Sequence, residues 1–297
     1  MTEPILKTEN LSKHFGSLKA VDDVTFEILP GETFSLVGES GSGKTTIGRT
    51  ILRLNKATSG KVYFEGRDIS NLKEKDLRAL RPQIQMIFQD PYSSLDPLQR
   101  IGNTLKEAVH EHHIVEKSEE VEYVKQTMEE CGLSRDMYDK FPDDFSGGER
   151  QRIAIARAIA LKPKLIIADE PVSALDVSVE AQILSLMLKL KKERNLSYLF
   201  ISHDMNVIRL ISDRIGVMYH GKLVEVAAKD EIMSNPLHPY TRLLLKIDSA
   251  LLENEIADSN HSGCPFYGRC PLRKDICREK MPEEKNLVGH RILCHLA

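Results

Sequence analysis

The sequence predicts an α/β fold: a parallel sheet covered by helices on both faces, with a β-rich subdomain, an inserted helical subdomain and a small Cys-rich C-terminal tail. Three observations carry that prediction. A glycine-rich turn at residues 38–45 lies between an apolar strand and a helix. Strands alternate with helices after residue 146, which is the pattern of a doubly covered parallel sheet. Four of the five cysteines fall between Cys264 and Cys294, apart from everything else.

Composition sets the limits. Among 297 residues, 41% are hydrophobic and 29% charged, which is ordinary for a globular chain and excludes disordered, collagen-like and disulfide-scaffold classes. The 41 basic and 44 acidic residues leave a net charge of -3, so no global positive field exists to hold a nucleic acid, and none is expected as a partner. The opening MTEPILKTENLSKHF lacks the basic start and apolar stretch of an export signal. The most apolar stretch, 153–168, is interrupted by Arg157, Lys162 and Lys164, so no spanning segment is expected. An odd cysteine count also argues against a secreted disulfide framework.

Taken in order, Val24, Phe26 and Ile28 alternate as a strand does, and the run 33–37 reads as a buried strand. A helix follows over 45–54 and a strand over 61–64. From 101 to 131 the period becomes helical and charged, with Glu107, Glu111, Lys117, Glu119, Glu120 and Glu122 between apolar Val121, Val124 and Met128. A helix from Ser146, a buried strand at 165–168, a helix over Val177–Arg194, a strand at 198–201 and a helix from about Met205 come next. A hairpin around His220-Gly221, a helix near Pro239 and a polar linker at 253–262 lead to the tail.

Gly38-Glu39-Ser40-Gly41-Ser42-Gly43-Lys44-Thr45 fits G-x-x-x-x-G-K-[ST] at every position and has the strand and helix that the motif's mechanics require. Its glycines turn backbone N–H groups inward around phosphates, and the helix N-terminus adds partial positive charge. Lys44 reaches the β/γ oxygens and the Thr45 hydroxyl can ligate Mg²⁺. The alternative, a glycine-rich turn that binds nothing, leaves Lys44 and Thr45 at this offset unexplained. Leu165-Ile166-Ile167-Ala168-Asp169-Glu170 supplies a buried strand ending in two carboxylates: Asp169 for the metal, Glu170 to orient the attacking water as general base. His110-Glu111-His112-His113 suggests the zinc-protease pattern H-E-x-x-H but fails, because the second ligand would fall on Ile114.

With these residues in place, the chain closely resembles the ATP-binding subunits of ABC transporters over nearly its whole length. Ser146-Gly147-Gly148-Glu149-Arg150-Gln151-Arg152 resembles the ABC signature; physically it is a capped helix start with a Ser146/Glu149 capping box and two glycines that leave N–H groups accessible. The resemblance implies a P-loop ABC ATPase cassette over residues 1–250, its helical subdomain at about 98–161, and a C-terminal extension at 251–297. It implies catalytic roles for Glu170, His203 and Gln89. ATP contacts are implied at Phe15, Gly38, Ser40, Gly41, Ser42, Gly43, Lys44, Thr45 and Thr46, and Mg²⁺ ligation at Thr45, Gln89 and Asp169. Ser146, Gly147, Gly148 and Glu149 would meet the partner's ATP, with Ser173 and Asp176 in the loop at the dimer contact. For Phe15 the residues alone also allow a core aromatic. The usual signature carries Gln at Glu149 and Leu at Phe145, and the expectation is that the extra charge weakens this half-site.

Phe88-Gln89-Asp90-Pro91-Tyr92-Ser93-Ser94-Leu95-Asp96-Pro97 and Asn235-Pro236-Leu237-His238-Pro239-Tyr240-Thr241-Arg242 are similar to the oligopeptide/dipeptide importer ATPases. That resemblance implies ATP hydrolysis coupled to peptide import at the cytoplasmic face of the cell membrane. The partners would be a second ABC ATPase subunit, commonly a paralogue, two membrane permease subunits and an external substrate-binding protein. The same ATPase role in a nickel or oligosaccharide importer, or a soluble ABC ATPase with a metal- or redox-sensing tail, are the alternative readings. Cys264-x5-Cys270-x6-Cys277-x16-Cys294 provides four thiols at spacings wider than the pairs of a structural zinc site. A 4Fe-4S cluster, carried by some members of this family in the corresponding tail, is the expected cofactor there beside ATP and Mg²⁺; zinc and a metal-free tail are the alternatives. Cys131 reads as a core cysteine.

Overall fold

The computed structural model describes residues 3–91, 95–247 and 262–297. The expected linker at 253–262 and the boundary at 250/251 therefore lie almost wholly outside the described residues, as do Tyr92, Ser93 and Ser94. In chain order the strands are β1 (Leu6–Phe15), β2 (Leu18–Ile28), β3 (Thr33–Val37), β4 (Ser59–Phe64), β5 (Arg67–Asp68), β6 (Ile84–Ile87), β7 (Leu165–Asp169), β8 (Ser197–Ser202), β9 (Arg214–Tyr219), β10 (Lys222–Ala228), β11 (Glu284–Leu287) and β12 (His290–Leu293). The helices are α1 (Lys44–Ile51), α2 (Glu74–Leu80), α3 (Ile101–Glu111), α4 (Glu120–Glu130), α5 (Gly147–Ile159), α6 (Val177–Arg194), α7 (Met205–Ile211), α8 (Lys229–Ser234), α9 (Pro239–Leu244) and α10 (Asp275–Glu279).

The chain divides into two compact bodies. The first comprises Met1–Ile5, Ile28–Gly31 and Asn71–Ile201. Its β6, β7 and β8 pair in parallel, Ile84 beside Leu165 and Leu165 beside Ser197. Every residue of β7 is buried, so this strand reads as a continuous apolar run rather than an alternation. α3 buries Ile101, Leu105 and Val109, one per turn, against the stripe of α4 that carries Val124 and Met128. The helical expectation for 101–131 thus resolves into two helices. Asp176 caps α6 by accepting from the Val179 N–H at 3.0 Å, and Asn195, at φ 50°, stops it.

The second body comprises Leu6–Glu27, Glu32–Ser70 and Ser202–Ala297. It holds an antiparallel sheet in the order β2-β1-β4-β5. β3 pairs in parallel with β9, and β9 and β10 form the hairpin expected at His220-Gly221. Two strands escape the alternation test. β1 carries Leu6, Thr8, Leu11 and Ser12 inward, but a register shift between Glu9 and Ser12, with Asn10 at φ 49°, breaks the period of two. β12 is four residues long, pairs with β10 through Glu225 and Val226, and carries β11 on its other edge. The Cys-rich tail is therefore sheet-forming and packs as part of this body. The helix expected over 45–54 ends at Ile51, where the chain turns through Arg53 at φ 56°.

Candidate functional site

In the second body, β3 delivers Val37 into the glycine-rich loop and α1 leaves it. Gly43 sits at φ 105° directly before α1, and a Cβ there would strike the Ala20 carbonyl oxygen, so only glycine fits. No side chain caps α1, and its start carries the partial positive charge of a helix N-terminus, which suits an anion. Lys44 is buried and donates from Nζ to the carbonyls of Gly38 at 2.7 Å and Glu39 at 2.8 Å and to Ser42 Oγ at 3.2 Å. The Ser42 carbonyl accepts from the Gly221 N–H at 3.0 Å, and the Glu39 N–H donates to the Tyr240 hydroxyl at 2.8 Å. A ring of hydrogen bonds thus shapes the loop before any phosphate enters. Thr45 and Thr46 stand in the first turn of α1.

Phe15, at the end of β1, is 48% exposed with the Lys13 ammonium 4.6 Å from its ring centre. It is a surface aromatic, not a core one. His203 is exposed directly after β8, and Asp204 caps α7 by accepting from the Asn206 N–H at 2.7 Å.

In the first body, Asp169 ends β7 with 1% exposure. Glu170 follows at φ 48°, a left-handed conformation rare for a residue with a side chain, and its N–H donates to the Ile201 carbonyl at 2.9 Å. Gln89, just past β6, donates from Nε2 to Glu170 Oε2 at 3.0 Å. Two residues that sequence reasoning selected from places 81 apart in the chain are thus brought together. The Ser173 hydroxyl donates to the Glu170 carbonyl at 3.1 Å, and Asp176 accepts from the Ser178 hydroxyl at 2.7 Å; that hydrogen bond is the main reason its carboxyl sits below the usual range. Strain of this kind gathers where a carboxylate must be aimed.

The signature segment is the predicted capping box. Glu149 Oε2 accepts from the Ser146 N–H at 2.9 Å and from the Ser146 hydroxyl at 2.7 Å. These contacts hold the Glu149 carboxyl below its ordinary range. Gly147 and Gly148 form the first turn of α5, and a Cβ on Gly148 would press on Val179.

In the tail, Cys264, Cys270, Cys277 and Cys294 are free and buried. Burial raises the Cys264 thiol to about 12, with the other three thiols adding to the shift, and raises Cys270 to about 11. Among the described residues, however, no group of three or more His, Cys, Asp or Glu side chains is disposed to hold a metal ion. The zinc and iron-sulfur expectations gain no support from this arrangement. Cys131 is buried and raised to about 12 by that burial, as a core thiol should be.

Sequence reasoning missed Tyr240's contact with the loop and the buried Glu225. Glu225 accepts from the N–H groups of Leu237 at 2.7 Å and His238 at 3.1 Å and from the Thr241 hydroxyl, and pairs with His290 Nε2 at 2.6 Å. A lone acidic residue in an apolar strand, KLVEVAA, is the one signal that marks it.

Comparison with known proteins gives a consistent picture. A family profile described as ABC transporter matches residues 21–173, and one described as oligopeptide/dipeptide transporter, C-terminal region, matches residues 224–277. The oligopeptide transport ATP-binding protein AppF of Bacillus subtilis is 46% identical over 99% of this chain and 98% of its own. OppF of the same organism, also named an oligopeptide transport ATP-binding protein, is 51% identical over 82% of each. Among solved structures, the dimeric ATP-binding cassette MJ0796, in a post-hydrolysis state with ADP and Pi, aligns with a TM-score of 0.69 at 29% identity, covering 75% of this chain and 98% of that one.

Proposed function

The chain belongs to the ABC transporter ATP-binding cassettes, with the oligopeptide/dipeptide C-terminal region, and we propose that it hydrolyses ATP to drive import of peptides through a multi-subunit membrane transporter. The observation that carries the hydrolytic half is the Gln89–Glu170 hydrogen bond at the ends of neighbouring parallel strands, with Glu170 held in a strained backbone. The importer half rests on the C-terminal match and on the names of relatives aligned end to end with this chain. No helix among the described residues is long and apolar enough to cross a membrane. We infer attachment at the cytoplasmic face through two permease subunits, with an external binding protein supplying the peptide and a second cassette, a paralogue, completing the pair.

Each residue then has a task. Lys44 exchanges its bonds to the Gly38 and Glu39 carbonyls for phosphate oxygens, and Ser40, Gly41, Gly43, Thr45 and Thr46 offer backbone N–H groups to the anion, with Ser42, whose N–H donates to the Glu39 carbonyl at 3.2 Å, shaping the turn between them. Phe15 offers its exposed ring to the adenine. Thr45, Gln89 and Asp169 are oxygen donors of the kind Mg²⁺ takes, and that ion supplies charge neutralisation at the transferred phosphoryl. Glu170 accepts a proton from water that it orients, and His203 donates to the γ-phosphate. Ser146, Gly147, Gly148 and Glu149, with Ser173 and Asp176, meet the nucleotide and loop of the opposite cassette. Residues 1–250 make up the cassette, with its helical part at about 98–161, and 251–297 the extension.

Glu170→Gln tests the assignment. The variant is expected to bind ATP with wild-type affinity, lose at least about a hundredfold in turnover, and accumulate as a closed dimer of cassettes on gel filtration with ATP. Rapid turnover would end the assignment of Glu170 as base. For the tail we propose a 4Fe-4S cluster on Cys264, Cys270, Cys277 and Cys294, a reading that rests on the wide spacing of the four cysteines in the sequence and not on their arrangement in the structure. Iron, zinc and acid-labile sulfide measured on anaerobically purified protein decide it. About four irons with matching sulfide is the expected outcome; one zinc without sulfide, or neither metal, would refute it.

A further inference from the structure

The C-terminal extension touches the phosphate loop through a specific side chain. Arg269 sets its guanidinium against the Glu39 carboxylate in fork geometry, Nη1 to Oε2 at 2.7 Å and Nη2 to Oε1 at 3.0 Å, across 230 residues of sequence. Glu39 is the second residue of the loop. Its N–H is held by Tyr240 and its carbonyl by Lys44, so its position is fixed from both sides. Arg269 is fixed as well. It donates to the Tyr219 hydroxyl oxygen, and Phe266, three residues upstream, is buried with its ring centre 5.1 Å from Tyr219 and 5.5 Å from Tyr240.

A carboxylate inside a loop built to receive polyphosphate is a like charge beside the ligand. Left uncompensated, it repels the nucleotide, and repels it more as the number of phosphates rises. Ordinary surface ion pairs contribute little, but this one is bidentate and joins two separately anchored groups, the conditions under which such a pair matters. Arg269 also stands immediately before Cys270, so the fold of the Cys-rich segment sets where the guanidinium lies.

We propose that Arg269 is a positioning residue of the nucleotide site: by holding and neutralising Glu39 it keeps the phosphate loop receptive to nucleoside triphosphates, and so lets the C-terminal extension set the cassette's affinity for ATP. The inference rests on the reading of this loop as the ATP site. It assigns the extension a role in the chemistry of the cassette.

The test is calorimetric titration of the full-length protein with ATP and ADP at low and high salt. Arg269→Ala is expected to weaken ATP roughly tenfold and ADP less, with the loss shrinking as salt rises. Adding Glu39→Gln to that variant should restore ATP affinity to near wild type, which a purely structural role for Arg269 would not allow. Arg269→Lys should keep part of the affinity. Should Arg269→Ala not fold, Glu39→Gln alone still decides, because it should bind ATP at least as tightly as the wild type. Equal losses for ATP and ADP, no loss, or no rescue would overturn the proposal. A wild-type protein that binds neither nucleotide would instead overturn the ATP-site reading beneath it.

Discussion

The phosphate loop and the Cys-rich extension belong to the same compact body, yet they are built in opposite ways. The loop is made by its own backbone: Gly43 in a conformation closed to other residues, Lys44 bonded to carbonyls five and six residues back, and a helix start without a side-chain cap. The extension is made by contacts from far away. Glu225 reaches His290 across 65 residues, Arg291 donates to the Thr25 carbonyl across 266, and Phe266 packs on Tyr219 and Tyr240. Local geometry tolerates very few residue types and so leaves a motif. Distant contacts are satisfied by common residues and leave none.

The comparison breaks most readily at Glu225. If the extension is integral to the body, Glu225→Ala strips the acceptor from two N–H groups, a hydroxyl and an imidazole at once, and should cost about 3–5 kcal/mol. Urea unfolding of the full chain should then show one cooperative transition at a lower midpoint. A second transition, with the main one unmoved, would make the extension an independent appendage instead.

That contrast also explains what could be read in advance. The strand and helix ends that carry Lys44, Asp169 and Glu170, and the Ser146/Glu149 capping box, were legible from local pattern, whereas Gln89 was marked out by the family resemblance alone. The hairpin at His220-Gly221 and the helices from Met205 and Pro239 were legible from turn chemistry and period. β1 was not, since its bulge at Asn10 disrupts alternation. β12 was not, because a four-residue strand acquires its meaning only from its partner β10. The four cysteines were visible as a set, while the aromatic packing that seats them on the second body was invisible.

A smaller effect sharpens the same boundary through pH. His238 is buried beneath the extension with Phe266 5.8 Å away, and its Nδ1 accepts from the Tyr240 N–H at 3.1 Å, so it must be neutral. Burial lowers it to about 4. The unfolded chain takes up a proton near pH 6.5 and the folded one only near 4, so stability is full above 6.5 and declines as pH falls through that window. The loss approaches about 3 kcal/mol at its limit. Unfolding midpoints between pH 7 and 4.5 check it, and His238→Gln, which can still accept at that site, should flatten the dependence.

The smallest effect concerns the signature. Glu149 differs from the usual glutamine by a charge, and that charge is engaged by the Ser146 N–H and hydroxyl at the start of α5. A negative carboxylate suits a helix N-terminus, while in the proposed pairing of cassettes it would repel the opposite cassette's γ-phosphate. The two effects oppose each other in one residue. Glu149→Gln should therefore cost only about 0.5 kcal/mol in stability, since glutamine still closes the capping box. In the assembled transporter it should raise ATP turnover about two- to threefold as the repulsion is removed. Unchanged turnover would mean that the capping bonds hold the carboxylate away from the phosphate, leaving the substitution without a catalytic cost.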